Sequence, residues 1–144
     1  MATIRSKYSI ISRYSNISHG SIVMHNVIIN SASEIGHNCI LNTNSLIEHD
    51  VNIGNHCHIS TGVIINGGVN IGDCSFIGSG CIIKEGVRIG KRVIISAGKI
   101  VMEDIPSGDI KHKLAYLTEY FKNYPNDELR KEEIKVIKNE NQKD

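Results

Sequence analysis

From residue 11 to residue 101, every sixth position holds a branched aliphatic: Ile11, Ile17, Val23, Ile29, Ile35, Leu41, Ile47, Ile53, Ile59, Ile65, Ile71, Ile77, Ile83, Ile89, Ile95 and Val101. No insertion breaks this register. A fixed internal period names an architecture more directly than local propensity does, because each short unit must bury its apolar side against the next. A second slot lies four residues beyond each aliphatic. It holds Ser15, Ser21, Val27, Ser33, Cys39, Ser45, Val51, Cys57, Val63, Val69, Ser75, Cys81, Val87 and Val93, all small or β-branched. One large and one small inward side chain per six residues, with three such units per coil, predict an all-β parallel β-helix. It is a triangular prism of about five coils, roughly 25 Å tall at about 4.8 Å per stacked strand. The residue after the aliphatic is often glycine (Gly36, Gly54, Gly72, Gly78, Gly90), which suits the backbone of a tight corner.

The period ends near Val101. Met102 to Gly108 contains Pro106 and reads as an exit loop. Lys111 to Asn123 carries Leu114, Leu117, Tyr120 and Phe121 at helical spacing, which predicts a short helix packed on the prism or on a neighbouring subunit. Pro125, Asn126 and Asp127 offer a second helix start. The charged stretch from Glu128 to Asp144 predicts a weak helix with a solvated face that frays into a disordered end. The expected organisation is a β-helix domain over 1–105 and a helical tail over 106–144.

Composition agrees with a stacked aliphatic core. Aromatic residues make up only 5% of the chain and tryptophan is absent, whereas an ordinary core of this size uses more large rings. A net charge of +1 provides no field to attract nucleic acid. No apolar run approaches the roughly 20 residues of a membrane span. Met1 to Ser12 lacks the apolar stretch of a secretory leader, so the expected location is the cytoplasm. Cys39, Cys57 and Cys81 fall in the small-residue slot and Cys74 beside it, without metal-site spacing, and all read as reduced, buried filler. Cys39 and Cys57 are eighteen residues apart, hence stacked, but a reducing compartment disfavours a disulfide between them.

A β-helix is a scaffold, so function must come from polar groups projecting from its coils. Seven histidines are available: His19, His25, His37, His49, His56, His58 and His112. Most read as turn residues. His49 stands apart because it lies between Glu48 and Asp50, and an adjacent carboxylate orients an imidazole and raises its basicity. No serine or cysteine has an evident activating partner. This favours direct transfer of an acyl group from a thioester, with His49 taking the acceptor's proton, over a covalent intermediate.

The strings IGHNCILNTNSLIEHDVNIGNHCHIS, GGVNIGDCSFIGSGCIIKEGVRIG and SAGKIVMEDIP cover most of residues 11 to 106. They resemble the hexapeptide-repeat acyltransferases that acetylate sugars. The similar branch contains NeuD-type sialic acid O-acetyltransferases and bacterial N-acetyltransferases of UDP- or dTDP-4-amino-4,6-dideoxy sugars. The discriminating motif is Asn42-Thr43, four residues, Glu48-His49-Asp50, seven residues, His58-Ile59-Ser60. The resemblance implies a left-handed helix, a homotrimer with clefts between subunits, and acetyl-CoA as cosubstrate. It assigns His49 as catalytic base and Asp50 as the acid that increases its basicity. Asn42 falls near the same site, on the substrate side. It places His58 against acetyl-CoA, with backbone groups of Ser79 and Ala97 further along the cofactor. Lys91 and Arg92 are candidates for meeting its phosphates.

The eighteen-residue coil adds an inference of its own. His49 and His58 are nine residues apart, half a coil, so they lie on opposite sides of one prism and share a site only across two subunits. The pattern departs from the family in two places. Relatives carry a nucleotide-sugar-binding βαβ domain before the prism, and where they end on a GNPAK-like motif this chain has Ser107 to Lys113. The resemblance makes amino-sugar N-acetylation the leading expectation and sugar O-acetylation the second. A non-catalytic trimeric assembly module is a third. A zinc site of the γ-carbonic-anhydrase kind lacks its histidine spacing.

Overall fold

The computed structural model describes residues 1–108, 117–119, 121–128, 131–132 and 135. Its described residues contain seventeen two-residue strands, from β1 (Ile4–Arg5) to β17 (Ile100–Val101), six residues apart in start position. They stack into three parallel sheets. Sheet A collects the strands that begin at Ile4, Ile22, Ile40, His58, Phe76 and Ile94. Sheet B collects those beginning at Ile10, Ile28, Leu46, Ile64, Ile82 and Ile100, and sheet C those beginning at Asn16, Glu34, Asn52, Asn70 and Arg88. Every pairing joins residues eighteen apart, such as Ile59 with Ile77 and Ile47 with Ile65. The expected parallel β-helix of about five coils is therefore the observed fold.

The second residue of each strand points inward. From Val23 to Ile83 these aliphatics are essentially fully buried and form one continuous core with the small slot between them. Each buried isoleucine contributes about 1.5–3 kcal/mol relative to exposure. The small slot also does polar work. Ser21, Ser33 and Ser75 donate hydroxyl bonds of 2.7–2.9 Å to carbonyls of the following coil, at Gly36, Glu48 and Gly90. The Cys39, Cys57 and Cys81 thiols reach Gly54, Gly72 and Ser96 carbonyls in the same way, at 3.0–3.2 Å. These three thiols are free and buried, as expected; Cys74 is free but exposed, because it occupies a corner rather than the slot.

Three local expectations need correction. First, the glycines that follow the aliphatics do not take the left-handed conformation. That conformation falls two residues later, for example at Asn38 (φ 54°), Asp50 (φ 58°) and Gly68 (φ 68°). Gly36, Gly72 and Gly78 are required for space instead, since a Cβ at each would lie 2.5–2.8 Å from backbone atoms of the next coil. Second, the coil begins one repeat early, with exposed Arg5 in the aliphatic slot. Third, the exit loop closes the prism. Ile105 is buried and bridges Ile89, and a further corner follows with Gly108 at φ 64°.

In the tail, residues 117–119 and 121–123 are helical and Leu117 is buried. The rest of the predicted first helix, residues 111–116 and 120, lies outside the described residues, as does His112. Glu128 opens a helical turn after the Pro125–Asn126 turn, with Lys131–Glu128 and Lys135–Glu132 ion pairs on its exposed side. The expected frayed end, beyond residue 135, lies outside the described residues. Among the described residues no helix is long and apolar enough to cross a membrane.

Candidate active site

Each strand leads into a corner. His49 and Asp50 form the corner between sheets B and C, after the strand Leu46–Ile47. Neighbouring coils fix its backbone. Asp50 N–H donates to the Ser31 carbonyl below at 3.0 Å, and the His49 carbonyl accepts from Gly68 N–H above at 3.0 Å. Ser33 hydroxyl donates to the Glu48 carbonyl and accepts from Val51 N–H, tying both flanks of the corner to the coil beneath.

The left-handed backbone at Asp50 turns its carboxylate back beside the preceding ring, and His49 Nδ1 lies 2.8 Å from Asp50 Oδ2. Nδ1 carries the proton in that bond and Nε2 keeps the free lone pair. The Asp50 hydrogen bond raises the His49 pKa above its ordinary value. Desolvation opposes it as the next largest effect, and the charges of Asp50, Glu48 and Glu85 add smaller contributions in the raising direction. Glu48 is held in turn by Asn30 Nδ2, which donates to its Oε2 at 2.8 Å.

His49 borders an open depression of about 470 Å³ that runs up sheet B. Glu48, Asn66, Lys84 and Glu85 rim it, and Ile82, Ile100 and Met102 form an apolar floor. Gly67 also lines it. This residue was not anticipated from the repeat, yet the eighteen-residue period puts it directly above His49. The position carries glycine where neighbouring corners carry side chains, and that is the signal that would have found it.

His58 lies on sheet A, the face opposite the B–C edge. It sits in register between Ile40 and Phe76, with its ring edge-on to Phe76 at 5.2 Å. Burial lowers its pKa, favouring the neutral ring. Its Nε2 is shut off from water and makes no hydrogen bond among the described residues. Asn42, Ser79 and Ala97 lie along the edge between sheets A and B, where Asn42 Oδ1 accepts from Thr43 N–H at 2.8 Å. Ser79 and Ala97 are exposed corner residues, each followed by a left-handed glycine, Gly80 and Gly98, with open space around it. The structure thus gathers His58, Asn42, Ser79 and Ala97 on sheet A and its B-side edge, and sets His49 with Asp50 across the prism.

Lys91 and Arg92 occupy the third edge, between sheets C and A. There Lys91 pairs with Asp73 at 3.2 Å, in a ladder that runs through Asn55 to His37. That pairing, with the Asn55 N–H bond as its larger partner, holds the Asp73 carboxyl below its usual range. Among the described residues no group of three or more His, Cys, Asp or Glu side chains is placed to hold a metal.

Six-residue units stacked into three parallel sheets, with a histidine–carboxylate pair at one corner, define a hexapeptide-repeat protein. Residues 34–66 and 68–102 match the family described as the hexapeptide repeat of succinyl-transferase. The chain belongs to the hexapeptide-repeat family. It is similar to PerB, the perosamine N-acetyltransferase of Caulobacter crescentus, solved with CoA and GDP-perosamine. That match has 32% identity over 75% of this chain and 52% of that one, with a TM-score of 0.74. A variant of the same enzyme with histidine replaced by alanine matches at 32% identity over 74% and 51%, also with a TM-score of 0.74. The acetyltransferase domain of PglB from Neisseria gonorrhoeae, solved with acetyl coenzyme A, matches at 29% identity over 74% and 52%, with a TM-score of 0.73. The chain spans about half the length of these solved relatives. No curated protein matches it in sequence.

Proposed function

We propose that this chain is an acetyl-CoA-dependent N-acetyltransferase of a nucleotide-linked amino sugar, working in the cytoplasm as a homotrimer, with residues 1–105 as its catalytic domain. The observation that carries the reading is the His49–Asp50 pair, with Nε2 left free to take a proton. The relatives' ligands, CoA and a nucleotide amino sugar, support the choice of substrates.

The residues present fit the pantetheine arm of CoA. His58 offers an unpartnered polar atom on sheet A, and the Ser79 and Ala97 N–H groups along the adjoining edge make no hydrogen bond among the described residues. When bound, acetyl-CoA supplies an activated acyl group. His49 Nε2 accepts the proton released as the acceptor nitrogen attacks the thioester carbonyl, Asp50 stabilises the imidazolium through Nδ1, and as the C–S bond breaks the departing CoA thiolate takes up that proton. Asn42 lies on the His58 side and contacts substrate from there. Because His49 and His58 face away from each other, the site is completed when the B–C edge of one copy faces sheet A of another.

The outward strand residues support that assembly. They are apolar throughout sheet B (Ile10, Ile28, Leu46, Ile64, Ile82, Ile100), nearly so in sheet A, and wholly polar in sheet C (Asn16, Glu34, Asn52, Asn70, Arg88).

The test is CoA release from acetyl-CoA with GDP-perosamine and related nucleotide 4-amino sugars, comparing wild type with His49→Ala. We expect a loss of turnover of about 100-fold or more, within the range general-base catalysis supplies. An unchanged rate in the variant would remove His49 from the mechanism. A wild-type protein that bound no CoA would end the enzyme reading. An anionic hydroxyl sugar such as sialic acid belongs in the same panel, and preference for it would replace N- by O-acetylation.

A further inference from the structure

Gly67 stands directly above His49 in the next coil and is buried there. A Cβ built on it would lie 2.7 Å from His49 Cε1 and 2.8 Å from Nε2, but 3.3 Å from Nδ1. The conflict is therefore with the edge of the ring that carries the free lone pair, and not with the edge bound to Asp50.

Other glycines of the prism differ in kind. A Cβ on Gly36, Gly72 or Gly78 would strike the backbone of the following coil, which cannot move without breaking the stack. At Gly67 the three nearest atoms all belong to one solvent-exposed side chain. Nor does Gly67 need glycine for its conformation, because the left-handed residue of that corner is Gly68. An alanine fits the backbone at position 67, and the only group that must give way is the imidazole.

We propose that Gly67 is a positioning residue for the transfer reaction: the bare Cα provides the surface on which the His49 ring lies and keeps its Nε2 edge open toward the acceptor. This rests on His49 being the base. Asp50 holds the ring by one edge through a single hydrogen bond, which leaves the opposite edge to tilt about the side-chain torsions. Contact with Gly67 removes this freedom. A methyl group there rotates the ring outward, away from the depression that Gly67 and His49 line together. A catalytic group displaced by about 1 Å costs up to about 100-fold in rate.

The experiment compares wild type, Gly67→Ala, His49→Ala and the double variant as full chains. The first measurement is CoA release with acetyl-CoA and GDP-perosamine. In Gly67→Ala we expect kcat to fall between tenfold and 100-fold, with the KM for acetyl-CoA within twofold and the same thermal midpoint and oligomeric state. The double variant should be no slower than His49→Ala alone, since both changes act through the same ring. The second measurement needs no turnover: NMR titration of the His49 imidazole, whose midpoint should drop in Gly67→Ala as the Asp50 bond loosens.

An unchanged His49 titration together with an unchanged kcat overturns the proposal. A rate loss that adds to that of His49→Ala also overturns it, as does one that comes with a lowered thermal midpoint, because either makes the effect structural. Full activity in His49→Ala fails the base assignment instead, and the titration then still decides whether Gly67 sets the ring.

Discussion

At the scale of single residues, the chemistry depends on which nitrogen of His49 carries a proton. Asp50 accepts from Nδ1 and so selects the tautomer with a free Nε2. The pair adds little to stability, because both side chains are more than half exposed and solvent screens them. Its effect on reactivity is larger. A base must be neutral to accept a proton, and Asp50 raises the pH at which His49 becomes neutral. The acid limb of a kcat/KM profile should therefore fall above the ordinary histidine value. In Asp50→Asn the negative charge is gone, so the His49 pKa drops and the acid limb moves to lower pH. The plateau should fall by about tenfold or more, because an amide donating to Nδ1 favours the wrong tautomer and the neutral partner no longer stabilises the imidazolium. A profile measured on both proteins checks the two effects separately. An acid limb at the same pH in the variant would mean that Asp50 does not tune the base.

At the scale of the repeating element, stability comes from columns of inward aliphatics that support one another from coil to coil. Ile59 is fully buried between Leu41 and Ile77. Ile59→Ala should cost about 2–5 kcal/mol, since the rigid stack cannot collapse into the gap. Ile11→Ala, at the half-exposed first slot of sheet B, should cost clearly less. Denaturant midpoints at matched protein concentration separate them. This regularity is why the fold was so legible in the sequence: sixteen aliphatics in register leave one way to stack. The placement of His49 across the prism from His58 was legible for the same reason, because nine residues are half a coil. What escaped were features set by contact between coils rather than along the chain. The glycine after each aliphatic looks like a conformational residue in a linear reading, but it is a spacer against the coil above. Gly67 is visible only once residues are aligned eighteen apart. Ile105 lies two residues short of the next aliphatic position, 107, and so read as loop, although its side chain is buried and it bridges Ile89.

At the scale of the whole molecule, the outward residues carry a second period of eighteen that bears on the proposed assembly. The first residue of each strand is aliphatic all the way up sheet B, while in sheet C it is Asn16, Glu34, Asn52, Asn70 and Arg88. Water has no reason to favour one face of a regular prism over another, so this asymmetry marks sheets A and B as surfaces for packing and sheet C as the solvated one. Ile64 lies near the middle of the sheet B ladder, between Leu46 and Ile82. Ile64→Glu places a charge where a neighbouring copy would bury it unpaired, and removing that charge from water without a partner costs several kcal/mol. The variant should dissociate at concentrations where wild type stays assembled. It should also lose activity at low protein concentration and regain it on concentration, because the proposed site joins the His49 corner of one copy to the His58 face of another. Asn70→Lys on sheet C alters charge on the solvated face and should leave assembly and turnover as they are. Light scattering behind size-exclusion chromatography reads the mass of each, and a dilution series of the CoA-release assay reads the coupling. A monomeric Ile64→Glu with full activity would place the whole reaction on one chain, whereas disassembly by Asn70→Lys alone would show that the polar face is the one that packs.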